Sequence, residues 1–187
     1  MTDNKIIKMI VAGLTFSKTK IGEIAEDEQY TNTAILLVSL AVILGTVIAF
    51  FQGNGGSSGV VRLGLTGVSA AIAEMGSLLI GTFLSAYITV YVIRIFKVSP
   101  TFTGILRVYG AAIIWTILKS VFGLVLPPGF AMVAVLFWLA YNFALLFGLT
   151  GYTKIKLWQS FLTIVLAFAI VFIVMMPYGM IIEAVFK

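Results

Sequence analysis

Two residues stand where chemistry is expensive: Glu74 and Lys119 each interrupt a long apolar run. An acidic or basic group at the centre of a membrane helix costs ~2.5–3.5 kcal/mol on insertion scales, so it needs a partner or water. Glu74 lies about six residues into one apolar stretch and Lys119 about eight residues before Pro127 closes another; at a rise of ~1.5 Å per residue the two sit at similar depth and could pair. The sequence leaves two readings of that pair open. One is a structural ion pair or a snorkelling lysine. The other is a charged intramembrane site that binds an ion, a lipid headgroup or a solute. Asn142, in a third apolar run, completes this candidate polar site, either by cross-linking helices or by touching a ligand.

Other chemistry finds little support. Without Cys there is no thiolate nucleophile, and without His the commonest general base and zinc ligand is missing. Dinucleotide fingerprint, phosphate loop and acidic metal cluster are absent, so no catalytic residue, metal or cofactor is expected. Gly55-Gly56-Ser57-Ser58-Gly59 matches the letters of the hydrolase elbow G-x-S-x-G, but that motif needs a preceding strand, a following helix and a histidine. A loop is expected there.

The elements that must position Glu74, Lys119 and Asn142 follow from the run lengths. About 20 apolar residues cross a ~30 Å hydrocarbon core. No charge falls between Glu28 and Arg62, so Ala34 to Phe51 is the first span, capped by Thr31, Asn32 or Thr33. The second, Val68 to Phe96, carries Glu74 and two lines of small or polar residues, Ala73, Ser77, Gly81 and Ser85 beside Thr66, Ala70 and Glu74, which should face protein rather than lipid. The third runs from about Phe102 to Leu126 and holds Arg107 near its start. A Pro127-Pro128-Gly129 hairpin leads to the fourth, Phe130 to Gly148, and a polar loop, Thr150 to Lys156, to the fifth. That last span, from about Leu157, should end at Met176, because Pro177 breaks a helix and leaves an apolar tail. Tyr30, Tyr109, Tyr152 and Trp158 are expected as interfacial anchors.

Composition agrees: of 187 residues 61% are hydrophobic and 10% charged, and the mean hydropathy is +1.14, outside the range of a soluble globule. Continuous apolar runs exclude the alternation of a β-barrel. The expected fold is all-α, a polytopic membrane bundle of five transmembrane helices at residues 31–187, preceded by an amphipathic, interfacial segment at residues 1–30 with Ile6, Ile7, Ile10, Val11 and Leu14 at helical spacing. Its acids, Glu23, Glu26, Asp27 and Glu28, are a solvated face or a docking surface for a basic cytosolic protein. No cleavable signal peptide is expected.

The net charge of +5 comes from lysines and arginines scattered between runs, which argues against nucleic acid. With the N-terminus cytoplasmic, the inner side holds nine (Lys5, Lys8, Lys18, Lys20, Arg94, Lys97, Arg107, Lys154, Lys156) and the outer side Arg62, Lys119 and Lys187. That asymmetry predicts N inside, C outside, and residence in the cell membrane as a multi-pass protein. Membrane lipids are the expected partners; a cytosolic protein at the N-terminal segment and a second copy of the chain are the further candidates.

Three stretches resemble the Yip domain family of Ypt/Rab-interacting membrane proteins. FSKTKIGEIAEDEQYTNTA, Phe16 to Ala34, is similar to the pre-membrane helix of prokaryotic members; ILRVYGAAIIW, Ile105 to Trp115, to the entry of the third span; and VLFWLAYNFALLFGLTGYTKIKLWQS, Val135 to Ser160, to the last two spans. The family has a cytoplasmic N-terminus and five clustered spans. Where eukaryotic members carry tyrosine–glycine–tyrosine and then proline, this chain has Tyr109, Gly110, Ala111 and Trp115, and the acidic-Leu-Tyr-Gly-Pro motif is absent. These departures speak against Rab binding and favour a prokaryotic-type member. For such a member the resemblance leaves the function open; the first expectation is a non-enzymatic role in membrane organisation or trafficking through helix-bundle and lipid contacts, and the rival expectation is a small transporter or channel lined by Glu74, Lys119 and Asn142.

Overall fold

The computed structural model describes residues 2–52, 67–125 and 131–186. It is all-α: α1 (Thr2–Leu14), α2 (Lys18–Glu26), a 3-10 turn (Glu28–Tyr30), α3 (Thr31–Gln52), α4 (Gly67–Arg94), α5 (Phe102–Ala112), α6 (Ile114–Val125), α7 (Ala131–Thr153) and α8 (Leu157–Phe186). Five segments are long and apolar enough to cross a bilayer: α3 with its 3-10 turn, α4, α5 with α6, α7, and α8. The Gly55–Gly59 letters, Thr66, Arg62, the Pro127–Gly129 hairpin and Lys187 lie outside the described residues.

The centre of the bundle is α5. Every residue from Gly104 to Ile114 is buried, because α1, α2, α3, α4 and α7 all pack on this one helix. Small residues permit the crowding. A Cβ at Gly22 would stand 2.9 Å from the Gly151 backbone, so α2 and α7 cross on two glycines, and a Cβ on Gly110 would strike Ala34 of α3. The entry to α5 is tied to α7 as well: the Thr101 amide donates to the Tyr152 hydroxyl at 3.2 Å, and the Thr101 hydroxyl caps α5 by accepting from the Gly104 amide at 3.0 Å.

Residues 1–30 join this core. Met9, Ala12, Ile21, Ile24 and Ala25 are buried with residues of α3, α5 and α7. The Trp115 indole donates to the Gly13 carbonyl at 3.1 Å and its ring stacks on Phe16 at 5.3 Å, which fastens the end of α1 to the start of α6. Ile7, Val11 and Leu14 stay exposed on α1, a second apolar stripe on the side away from the core.

Several expectations change. The third span is not one uninterrupted helix: a turn at Ile113 divides it into α5 and α6, where α1 docks. α7 continues past Gly148 to Thr153, the buried Thr150 and Thr153 hydroxyls donating to the Leu146 and Leu149 carbonyls one turn back. Pro177 does not end the last span; α8 continues to Phe186. A proline removes one backbone hydrogen bond, a loss that membrane helices tolerate when neighbours hold the chain. Here Tyr178, directly after it, donates to the Ile72 and Ala73 carbonyls of α4, both at 3.2 Å, and Gly179 and Ile182 are buried beyond.

The buried seam of α4 is also displaced. It runs Ala70, Glu74, Leu78, Thr82, Ala86 and Val90, which is the second of the two expected lines prolonged. Past Ala73 the first line is half-buried, and a Cβ on Gly81 would meet open space. Large Leu78 lies in the seam and small Gly81 beside it, so residue size alone misplaces the contact.

Candidate functional site

The acid on that seam is the core of the site. Glu74 is 3% exposed, held by α4 where the helix packs between α3 and α8. Its charge acts on Lys119 of α6 and on the Tyr178 hydroxyl of α8, so groups from three helices meet the field of one carboxylate. Gly76 makes the room for the tyrosine: a Cβ there would overlap the Tyr178 ring and hydroxyl. The phenol is thereby fixed on the α4 backbone within two residues of the acid.

Two further polar atoms lie at this depth. The Thr46 and Ser120 hydroxyls are buried and make no hydrogen bond among the described residues, unlike those of Thr150, Thr153 and Thr163, which donate to carbonyls four residues back. Thr46 is about six residues from the end of α3 and Ser120 about five from the end of α6; at ~1.5 Å per residue both lie level with Glu74, about seven residues into α4. A layer of polar groups on α3, α4, α6 and α8 thus crosses the bundle about 10 Å from the end opposite α1 and α2. Such a layer can hold a cation or bridging waters against the carboxylate, or pass a proton between hydroxyl, carboxylate and amine.

Asn142 stands apart from it. Its Nδ2 donates to the Trp138 carbonyl of its own helix at 2.8 Å, with no hydrogen bond to another helix among the described residues, and it lies near mid-span. A second interhelical link sits nearer α2: the buried Thr89 and Tyr109 hydroxyls, on α4 and α5, are 3.0 Å apart. Tyr109 is therefore core, not an interfacial anchor, and so is Tyr30; Trp158 alone of the four aromatic candidates is exposed, edge-on to Phe96 at 6.0 Å.

The acidic residues form a separate surface. Glu23, Glu26, Asp27 and Glu28 are all exposed, while Ile21, Gly22, Ile24 and Ala25 on the other side of α2 are buried. Asp27 also shapes the chain, its carboxylate accepting from the Gln29 amide at 2.9 Å to start the 3-10 turn. Glu26 meets Lys154 of α7 at 3.4 Å, but both side chains are largely exposed, so the pair contributes little.

Sequence reasoning missed Tyr178, Thr46 and Ser120. Hydroxyls in apolar helices ordinarily bond their own backbone, and nothing in the local residues separates these two from the rest. Compared with known protein families, curated proteins and solved structures, the chain matches none of them.

Proposed function

We propose that the protein is a non-enzymatic, Yip-like integral membrane protein, of the prokaryotic type, that acts in membrane organisation or trafficking at the cell membrane. The observation that carries this reading is the docking of α1 and α2. These helices are packed into the end of the bundle, so the acidic side of α2 is presented as a fixed face at the membrane surface while Ile7, Val11 and Leu14 of α1 lie free to enter the interface. A rigid face of this kind suits a basic cytosolic partner and close contact with lipid. On this reading α1 and α2 are cytoplasmic and the C-terminus lies outside, in keeping with the distribution of lysine and arginine.

A second reading, a small transporter or channel, is favoured by the layer around Glu74, where a buried carboxylate, Lys119 and two hydroxyls without a hydrogen bond among the described residues share one depth. Reconstitution into liposomes separates the two. The first reading predicts altered vesicle size or clustering that is lost on changing Glu23, Glu26, Asp27 and Glu28 to their amides, with no solute or ion flux. Flux that disappears in Glu74→Gln would overturn it in favour of the second.

A further inference from the structure

Arg107 is the most deeply buried basic group of the described residues, 2% exposed, and its charge is unmatched by its contacts. Nε donates to the Thr103 carbonyl at 3.1 Å and Nη2 to the Thr103 hydroxyl at 3.2 Å, while Nη1 is buried and bonds to nothing described. Both partners are neutral and belong to one residue, four back on the same helix. A guanidinium taken out of water is expensive unless an anion and further hydrogen bonds compensate it. A water could satisfy the donor but would leave the charge.

The place where this guanidinium lies is suited to an anion. Its bonds to Thr103 bring it back along the first turn of α5, about 8 Å or less from the helix start, where backbone amides have no intrahelical partner and the helix dipole is positive. Thr101 already serves the Gly104 amide through its hydroxyl and the Ile105 amide through its carbonyl, which leaves the first amides of the turn to others. Over this turn the cover is thin: Thr101, Phe102 and Thr103 are exposed, whereas Gly104 onward is buried. At the same end of the bundle seven exposed basic side chains, Lys8, Lys18, Lys20, Arg94, Lys97, Lys154 and Lys156, outnumber the four exposed acids Glu23, Glu26, Asp27 and Glu28, and the excess positive charge draws anions in.

We infer that Arg107 and the first turn of α5 form a binding site for a phosphate group, entered past Thr103 from the end of the bundle that carries α1 and α2. Arginine takes phosphate through two parallel N–H donors, and rotation of Thr103 frees Nη2 to join Nη1. The phosphate belongs to a phospholipid headgroup of the adjoining leaflet or to a free phosphate from solution. The site is separate from the Glu74 layer, which lies toward the other end of the bundle.

The test titrates the detergent-purified full chain with dioleoyl-phosphatidylglycerol and, separately, with inorganic phosphate, counting bound molecules by native mass spectrometry. One tightly held phosphatidylglycerol per chain is expected if the source is lipid; displacement of that lipid by inorganic phosphate, or binding of phosphate alone, identifies the free anion. Arg107→Gln should weaken the binding about tenfold or more, the scale of a lost charge-assisted hydrogen bond. Lys8→Gln, which removes an exposed charge of α1, should change it less than about twofold. Should Arg107→Gln not fold, Thr103→Glu decides: at an exposed position it sets a carboxylate beside the guanidinium, and it should abolish binding while raising the melting temperature of the ligand-free protein. Binding of neither probe to the wild type, or equal binding by Arg107→Gln, Thr103→Glu and the wild type, overturns the site and leaves the guanidinium a purely structural group.

Discussion

Glu74 and Glu23 carry the same functional group and differ only in surroundings, so they measure what burial does to a carboxylate here. Glu74 is 3% exposed and acts on Lys119 and Tyr178; Glu23 is exposed. Glu74→Gln should lower thermal stability in detergent by about 1–3 kcal/mol, the range for disturbing a buried polar partnership, whereas Glu23→Gln should stay within about 0.5 kcal/mol. Equal melting temperatures for the two variants would mean that the carboxylate contributes nothing to the bundle. Gly76 allows a sharper test, because any side chain there displaces Tyr178. Gly76→Val should destabilise by about 1–3 kcal/mol, the cost of overpacking, and the loss should be largely absent in a background that already carries Tyr178→Ala.

Helices in this molecule begin and end where packing decides. α8 passes through Pro177 because Tyr178, Gly179 and Ile182 are held against α4 on the far side. Pro177→Ala restores a backbone donor at an exposed position of a helix that is already formed, so it should leave the fold intact and raise the melting temperature by a few degrees. A fall would show that the proline supports the packing of the last two turns. The opposite sign is expected where α2 crosses α7: Gly22→Val forces the two backbones apart, and since α2 brings Ile21, Ile24 and Ala25 into the core, limited proteolysis should then cut the chain between α2 and α3.

For the molecule as a whole the decisive quantity is orientation. The chain contains no cysteine, so single cysteines report without background. Glu23→Cys in α2 and Ala184→Cys near the end of α8 are both exposed positions at opposite ends of the bundle. In intact cells a membrane-impermeant maleimide should label Ala184→Cys and spare Glu23→Cys, with both labelled after permeabilisation. The reverse pattern would place the acidic face of α2 outside and remove the cytosolic partner from the proposed function.

The all-α class and the five long apolar segments were legible in the residues because the hydrocarbon core sets one length that any spanning helix must meet, and charges mark where each run stops. That Glu74 should face protein was legible for the same reason, since a lone acid in such a run is costly in lipid, and the structure buries it. What the one-dimensional pattern could not carry was which side of each helix meets which neighbour. Small residues at every fourth position defined two lines on α4, and only the fit of α3 and α8 selected the one through Leu78. The division at Ile113, the passage of α8 through Pro177 and the burial of Tyr109 depend likewise on contacts between segments tens of residues apart. So does the contrast between two basic residues counted alike in the charge balance: Lys8 is exposed, while α5, surrounded by five other helices, takes Arg107 into the protein interior.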